Sequence, residues 1–394
     1  MKKFINIFFI SLIFISCNTV FGADTQKAGI EVVDLSFEQA YQLMLENNNS
    51  LKAYNEAIEQ SKFEKRAALG EFSPKVMLNS TYIHFSKDMQ LHTPVGLPGL
   101  GTLVTTSDIQ GQNLFTMSGG IVWNIFTGGK ILSNHAAARA KLEASNAKYR
   151  EVKDSLTVEL VKRYYGLQLA REVANVKLNY MDCVEQHLKD AKLLEKEGFI
   201  SKSERLHAEV AYADAKRDYK ASLRDVNIVE EGLKTLIKSE NADLKNVRIS
   251  PVSVLFMHED LTIDADAMKK NALKNNPQLK QLEEKRKAMS AKYHAKAADY
   301  LPTVSLFATD ILAASNLSEA VPRGAIGGMA NLMLFDGLKR ENNLLATKHE
   351  RKMVDYEIED ARYNIESLVV KQYQELMKYK ASLNLLYELK EKLK

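Results

Sequence analysis

The chain has 394 residues, with 54 basic side chains against 50 acidic ones and a formal charge of +4. The two signs are interleaved, which excludes a basic nucleic-acid stripe and suits solvated helix faces. All seven prolines avoid residues 99–250 and 323–394, and those tracts are filled with Ala, Leu, Glu, Lys and Arg, so two or three compact domains give way to long helices.

Lys2 and Lys3 precede an apolar run from Phe4 to Ile15 that is too short to span a bilayer and reads as an export signal over residues 1–22. Small residues at Val20 and Gly22 favour cleavage before Ala23. Phe14-Ile15-Ser16-Cys17 also resembles a degenerate lipobox, which would lipidate Cys17. After cleavage before Ala23 only Cys183 is left, so no internal disulfide forms. No later segment is apolar enough for a membrane helix, so membrane entry would require strands.

Residues 37–70 predict a helix, with Ser36 as N-cap and Gln39 completing a capping box. Pro74 marks the change to extended chain. Strands are expected at about 75–86 and 113–125, near the roughly 9–11 residues of a tilted membrane strand. In the second of these, Phe115, Met117, Ile121, Trp123 and Ile125 alternate with Thr116, Ser118, Gly120 and Asn124. The first set is expected to face lipid and the second the lumen. Trp123 falls near the strand end, where an aromatic girdle would place it. Each hairpin taken alone favours a soluble sheet covered by a helix, since short alternating segments are a weak signal; the export signal, the internal duplication described below and the long helices that follow shift the balance to membrane strands. Between the strands lies LHTPVGLPGLGTLVTTSDIQGQ, a Gly-, Pro- and Thr-rich stretch suited to a hairpin loop outside the cell.

From Phe126-Thr127-Gly128-Gly129-Lys130 a helical pattern runs to Gly198, and 66 residues from Ile131 to Lys196 would extend about 100 Å. Two apolar rows run along it: Val158, Val161, Tyr165, Leu169, Val173, Val176 and Tyr180 beside Leu156, Leu160, Tyr164 and Leu167. Such a helix packs between neighbours on both sides. After Gly198, Ser201 or Ser203 caps a return helix over 201–238. Phe199 and Ile200 are apolar at this turn, which marks Gly198, Phe199, Ile200 and Ser201 as a docking tip. A hydrophobic cap local to the turn is the competing explanation.

The chain then repeats itself. Leu45, Asn48, Leu51, Glu56, Pro74 and Val76 recur 228 positions on as Leu273, Asn276, Leu279, Glu284, Pro302 and Val304. Phe126, Gly128, Lys130, Asn134 and Tyr164 recur 209 positions on as Phe335, Gly337, Lys339, Asn343 and Tyr373. The difference of 19 residues belongs to the first loop. The organisation is therefore a first repeat over 33–245, a linker over 246–261 and a second repeat over 262–394 with strands at about 303–310 and 324–334. At the second offset Lys394 corresponds to Glu185, so the second tip and return helix have no counterpart, as in a fragment.

Chemistry is not indicated. The eight histidines are scattered, His207-Ala208-Glu209 is no zincin pattern, and Gly96–Gly101 contains proline and opens no helix. An enzyme, a metal centre and a cofactor are not expected. Four strands per chain leave two open edges, which are costly in hydrocarbon, so closure needs further copies around an axis.

These features resemble the TolC-like outer-membrane efflux family. The resemblance rests on Pro74-Lys75-Val76 and Pro302-Thr303-Val304. It rests also on Trp123-Asn124-Ile125-Phe126-Thr127-Gly128-Gly129-Lys130 and Leu334-Phe335-Asp336-Gly337-Leu338-Lys339, which are similar to the family's W-x-x-F-[DN]-G-G-[RK] apart from Thr127 and Leu338. Gly198-Phe199-Ile200-Ser201 with Leu206, Ala208 and Ala211 resembles its hairpin tip. The likeness covers about residues 33–394. It implies a mainly α fold with membrane β: a homotrimeric 12-stranded β-barrel in the outer membrane of a Gram-negative bacterium, continued by an α-helical barrel in the periplasm. It further implies an exit duct for tripartite efflux or type I secretion. The partners would be a periplasmic adaptor, an inner-membrane transporter of RND, ABC or MFS type and outer-membrane lipid, without nucleic acid. By the same resemblance, Glu204 aligns with an acidic position near the entrance and would add to a negative ring. A pore-less periplasmic coiled-coil adaptor is the alternative, though an adaptor would normally carry a lipoyl-like β domain beside its helical hairpin.

Overall fold

The computed structural model describes residues 32–97, 101–237, 248–251, 264–317 and 321–392. The export signal, Cys17 and the turn at 98–100 lie outside the described residues.

In the first repeat, β1 (Val32–Leu35) leads into α1 (Phe37–Asn47) and α2 (Asn49–Gly70). The capping box forms as expected: Ser36 Oγ accepts the Gln39 N–H, and Gln39 Oε1 accepts the Ser36 N–H. The single helix expected over 37–70 is broken at Asn48. Its side chain accepts the N–H groups of Ser50 (2.9 Å) and Leu51 (3.4 Å) and its amide donates to the Leu236 carbonyl at 3.1 Å. An asparagine that caps in this way competes with the helix it interrupts. The second repeat breaks at the equivalent residue, Asn276, between α5 (Ala265–Asn275) and α6 (Pro277–Ala297).

Strands β2 (Lys75–His84) and β5 (Asn113–Phe126) pair antiparallel, as do β7 (Thr303–Ser315) and β8 (Gly324–Asn331). The two hairpins join through β5 and β7 into one sheet of order β2-β5-β7-β8. The first-copy loop forms a separate antiparallel pair, β3 (Met89–Leu97) with β4 (Gly101–Gln110). Strand β7 runs past the expected end at 310, because β5 stays long enough to pair with it as far as Ser315. Strand β8 stops at Asn331, short of the expected 334.

The long helix is α3 (Lys130–Lys196), and it returns as α4 (Lys202–Ile237). Gly166 does not interrupt α3; Val229 of α4 lies 4.0 Å from where its Cβ would stand. Helix α3 packs against α2, α4 and α6, and α7 (Lys339–Lys392) packs against α5 and α6. Leu160, Tyr164 and Leu167 are fully buried with Ala40, Met44, Leu233 and Ile249. Ile249 belongs to β6 (Arg248–Pro251), a strand parallel to β1 that lies inside the segment read as a linker. The Tyr164 hydroxyl donates to the Leu35 carbonyl at 2.7 Å. Glu230, also buried, accepts the Ile249 N–H at 3.0 Å and meets Lys234 at 3.2 Å and Arg171 at 3.4 Å. Arg171 donates in turn to the Ile249 carbonyl. This belt ties both strands to the middle of the helical hairpin.

Sheet and helices meet at a crowded junction. Gly128 has φ +62°, and a Cβ there would stand 2.7 Å from Leu301 Cβ and 2.9 Å from the Ala298 carbonyl oxygen. Lys130 Nζ reaches Asp299 at 2.7 Å, and Arg340 donates to the carbonyls of Asp299, Met333 and Leu334. Gly129, at φ +86°, has open space around its Cβ position. Gly128→Ala combines left-handed strain with overpacking and is expected to cost about 2–5 kcal/mol, whereas Gly129→Ala carries only the backbone cost of about 1–2 kcal/mol. Denaturation midpoints of the two variants test this; equal losses would show that the contact with Leu301 does not matter.

Candidate functional site

The sheet presents two faces of different chemistry. Strand β5 pairs with β2 without a break in register, so its side chains alternate strictly through that ladder. Phe115, Met117, Ile121 and Trp123 share one face. Their neighbours across the sheet on that face are Tyr82, Ser80 and Val76 of β2, Leu306 and Ala308 of β7, and Ile326 of β8. Val76, Leu78, Tyr82, Ile121, Leu306 and Ile326 are all exposed in the single chain. Asp310 is the acidic exception on this face, at the end where β8 begins. Ile125 departs from the expected alternation: Asn124 pairs with Ser305 and Phe126 with Val304, so Ile125 is the extra residue of a bulge. It is nonetheless half exposed.

The other face carries Thr116, Ser118, Gly120 and Asn124 beside Asn79, Thr81, Ser305 and Thr309. Ser305 Oγ donates to Asn124 Oδ1 at 2.7 Å, and Thr309 Oγ1 to the Gly119 carbonyl at 3.3 Å. This face is mixed, because Met77, Ile83, Val122 and Ile311 lie on it as well, and Phe307 lies against Gly327, where a Cβ would come within 2.8 Å of its ring. At the strand end Trp123 does more than a girdle residue: its indole N–H donates to the Phe72 carbonyl at 2.9 Å and ties the sheet to the end of α2.

At the far end of the molecule, α3 closes in a Schellman motif. Gly198 has φ +81°, its N–H donates to Glu195 O at 3.0 Å, and the Phe199 N–H donates to Leu194 O at 2.9 Å. Ser201, not Ser203, caps α4: its Oγ accepts the Glu204 N–H at 3.3 Å, and Glu204 Oε2 accepts the Ser201 N–H at 2.7 Å. Arg205 braces the turn through Glu195 at 2.8 Å and Glu209 at 2.6 Å. The usual apolar closure of a Schellman turn would bury the residue after the glycine. Phe199 is instead 77% exposed, which speaks against a local hydrophobic cap. Ile200 is half-buried, so the pair expected to be exposed is reduced to Phe199. Glu204 has a local task as the third residue of α4, where its carboxylate closes the capping box. The hydrogen bond from the Ser201 N–H is the main reason its carboxyl titrates below the usual range.

Sequence reading missed three features: the Arg171–Glu230–Ile249 belt, the Arg205 brace, and the exposed run Leu332–Phe335 where β8 was expected to continue. Only the brace had a local signal, the i,i+4 pair of Arg205 and Glu209. Among the described residues no cluster of His, Cys, Asp or Glu could hold a metal, and no helix is long and apolar enough to cross a membrane.

The sheet and the long helical hairpin it joins set the fold against which the chain can be compared with known proteins. Residues 40–237, half of the chain, match the family model for outer membrane efflux protein, and the chain belongs to that family. It is thus a channel of efflux systems and not an enzyme, which removes the pore-less adaptor as an alternative. The fold agrees with solved structures. The CmeC outer membrane channel of Campylobacter jejuni superposes with a TM-score of 0.67 at 18% identity, over 90% of this chain and 75% of that one. The open-state MtrE outer membrane channel of Neisseria gonorrhoeae gives 0.65 at 18%, over 92% and 80%. The outer membrane protein VceC of Vibrio cholerae gives 0.67 at 14%, over 88% and 79%. A search of curated proteins found no significant match.

Proposed function

We propose that three copies of this chain close a twelve-stranded barrel and serve as the exit duct of a tripartite efflux pump or type I secretion system. The observation that carries this reading is the sheet itself, whose strands β2 and β8 end in open edges while one face is apolar and the other mixed. Four strands are too few to enclose a lumen, and hydrocarbon does not tolerate the edges. The helices support it. In α3 the row Leu156, Leu160, Tyr164 and Leu167 is turned inward within the chain. The parallel row Val158, Leu169, Val173, Val176 and Tyr180 is exposed and awaits neighbours.

On this reading Phe115, Met117, Ile121, Trp123 and Ile125 meet lipid while Thr116, Ser118, Gly120 and Asn124 line the wet lumen. The β3–β4 hairpin stands outside the cell and the helices project into the periplasm. Phe199, with Gly198, Ile200 and Ser201 shaping the turn, meets a periplasmic adaptor, and Glu204 contributes charge near the entrance. An inner-membrane transporter supplies the energy, and the channel conducts passively. Heat-modifiable oligomers in the outer-membrane fraction, with single-channel conductance in planar bilayers, are the expected result; a non-conducting monomer would overturn the proposal. Lysine at Ile121 should cost about 2–4 kcal/mol, against far less at Ser118 on the opposite face. Equal assembly yields for the two variants would reverse or abolish the assignment of faces.

A further inference from the structure

We infer the register by which β8 of one copy meets β2 of the next, and that the exposed segment Leu332–Phe335 is the part of this ladder that a single chain leaves unfinished. The inference rests on the closed ring proposed above. Its basis is that the internal duplication carries strand register pair by pair. Moving β2 by 228 positions and β5 by 209 turns Lys75↔Val122 into Thr303↔Asn331, Val76↔Ile121 into Val304↔Ala330, and Tyr82↔Phe115 into Asp310↔Gly324. All three are pairs of the β7–β8 hairpin.

The same operation applied to the junction of the two hairpins yields pairs that one chain does not contain. Val122↔Phe307, Trp123↔Leu306, Asn124↔Ser305 and Phe126↔Val304 of β5–β7 become Asn331↔Asn79, Leu332↔Leu78, Met333↔Met77 and Phe335↔Val76. One member of each new pair lies on the edge strand β2, and the other is the last residue of the opposite edge strand β8 or directly follows it. Four strands cannot curl back on themselves, so the two edges belong to different copies. Leu334 falls where Ile125 makes its bulge.

This explains why β8 ends at Asn331 although residues 123–126, the counterparts of 332–335, are strand. Residues 123–126 have β7 beside them, whereas 332–335 wait for β2 of another copy. The uncovered side chains match across the seam. Leu332, Met333, Leu334 and Phe335 are 50–83% exposed, and on the other edge Val76 is 78% and Leu78 65% exposed. Identical pairs, asparagine on asparagine, leucine on leucine and methionine on methionine, would meet in the ladder.

The test uses the full chain with Cys183→Ser, isolated from outer membranes. Leu332→Cys with Leu78→Cys places the two thiols opposite each other, inside the 4.4–6.8 Å Cα separation that a disulfide spans. Leu332→Cys with Ser80→Cys keeps both on one face but shifts the pair by two residues, about 7 Å along the strand. Non-reducing gels and mass spectrometry of linked peptides should show the first pair crosslinked between copies at least tenfold more than the second. A preference for the second pair, or a trimer by native mass measurement with neither link, would overturn the register while leaving the ring intact. A monomer by that measurement would overturn the ring, and the register with it.

Discussion

Replacing Phe199 with aspartate is expected to leave the assembly intact while abolishing adaptor cross-linking and export. The turn does not need this side chain. Backbone bonds from Gly198 and Phe199 close α3, the Ser201–Glu204 box opens α4, and Arg205 braces the two helices. Phe199 is 77% exposed, so its removal leaves no cavity. An apolar ring held out on a rigid turn gains its stabilisation by burial against a partner, and a carboxylate in its place would have to be desolvated there. Ile200→Asp is the less clean variant, since Ile200 is half-buried and its loss disturbs the turn itself. Glu204 does not confuse the experiment near neutrality. Its folded pKa is lowered by the Ser201 hydrogen bonds, so its contribution is present above the ordinary carboxylate range and fades only as pH falls through the lowered value. Normal export by Phe199→Asp, with unchanged yield, would place docking elsewhere.

The second large effect is expected at the belt. Glu230→Ala removes the acceptor of the Ile249 N–H and the counter-charge of Arg171 and Lys234, all in a site where Glu230 is 5% exposed. Breaking a buried ion cluster from one side costs about 3–5 kcal/mol, because the Ile249 N–H loses its acceptor and Arg171 its carboxylate, with only the Ile249 carbonyl left to Arg171. The neighbouring Glu231→Ala provides the control. Glu231 is exposed and pairs only with Lys234, so its loss should stay within about 0.5 kcal/mol. Chemical denaturation of the detergent-solubilised protein, followed by far-ultraviolet circular dichroism, separates the two. Similar midpoints would mean that the belt does not hold the strands to the helices.

Much of this architecture was legible in the chain because its signals are local. Ser36 with Gln39, Gly198 after an uninterrupted helical pattern, and the alternation from Phe115 to Trp123 each announce an element within a few residues. The duplication extended that local reading to the second half. What stayed hidden depended on partners far along the chain. The break at Asn48 is sealed by Leu236, 188 residues away, and β6 exists because Ile249 finds β1 and Glu230. The early stop of β8 was illegible for a further reason: nothing in Leu332–Phe335 itself announces that the ladder of the same chain ends there. At the tip, the pattern identified an apolar turn but could not say that Ile200 is half-buried while Phe199 stays out.

The belt grips α3 near Tyr164 and Arg171, well short of its end. Beyond that grip only Ala174, Val184 and Leu188 of α3 are buried. The 27 residues that follow Arg171, as far as Gly198, therefore form an arm about 40 Å long. A rotation of about 10° at its fulcrum would carry Phe199 through about 7 Å, comparable to the width of a side chain or a hydrated ion. In the duct proposed above, a displacement of that size at the tip would leave the sheet and the junction at Gly128 as they are, since both lie at the other end of α3, beyond the belt.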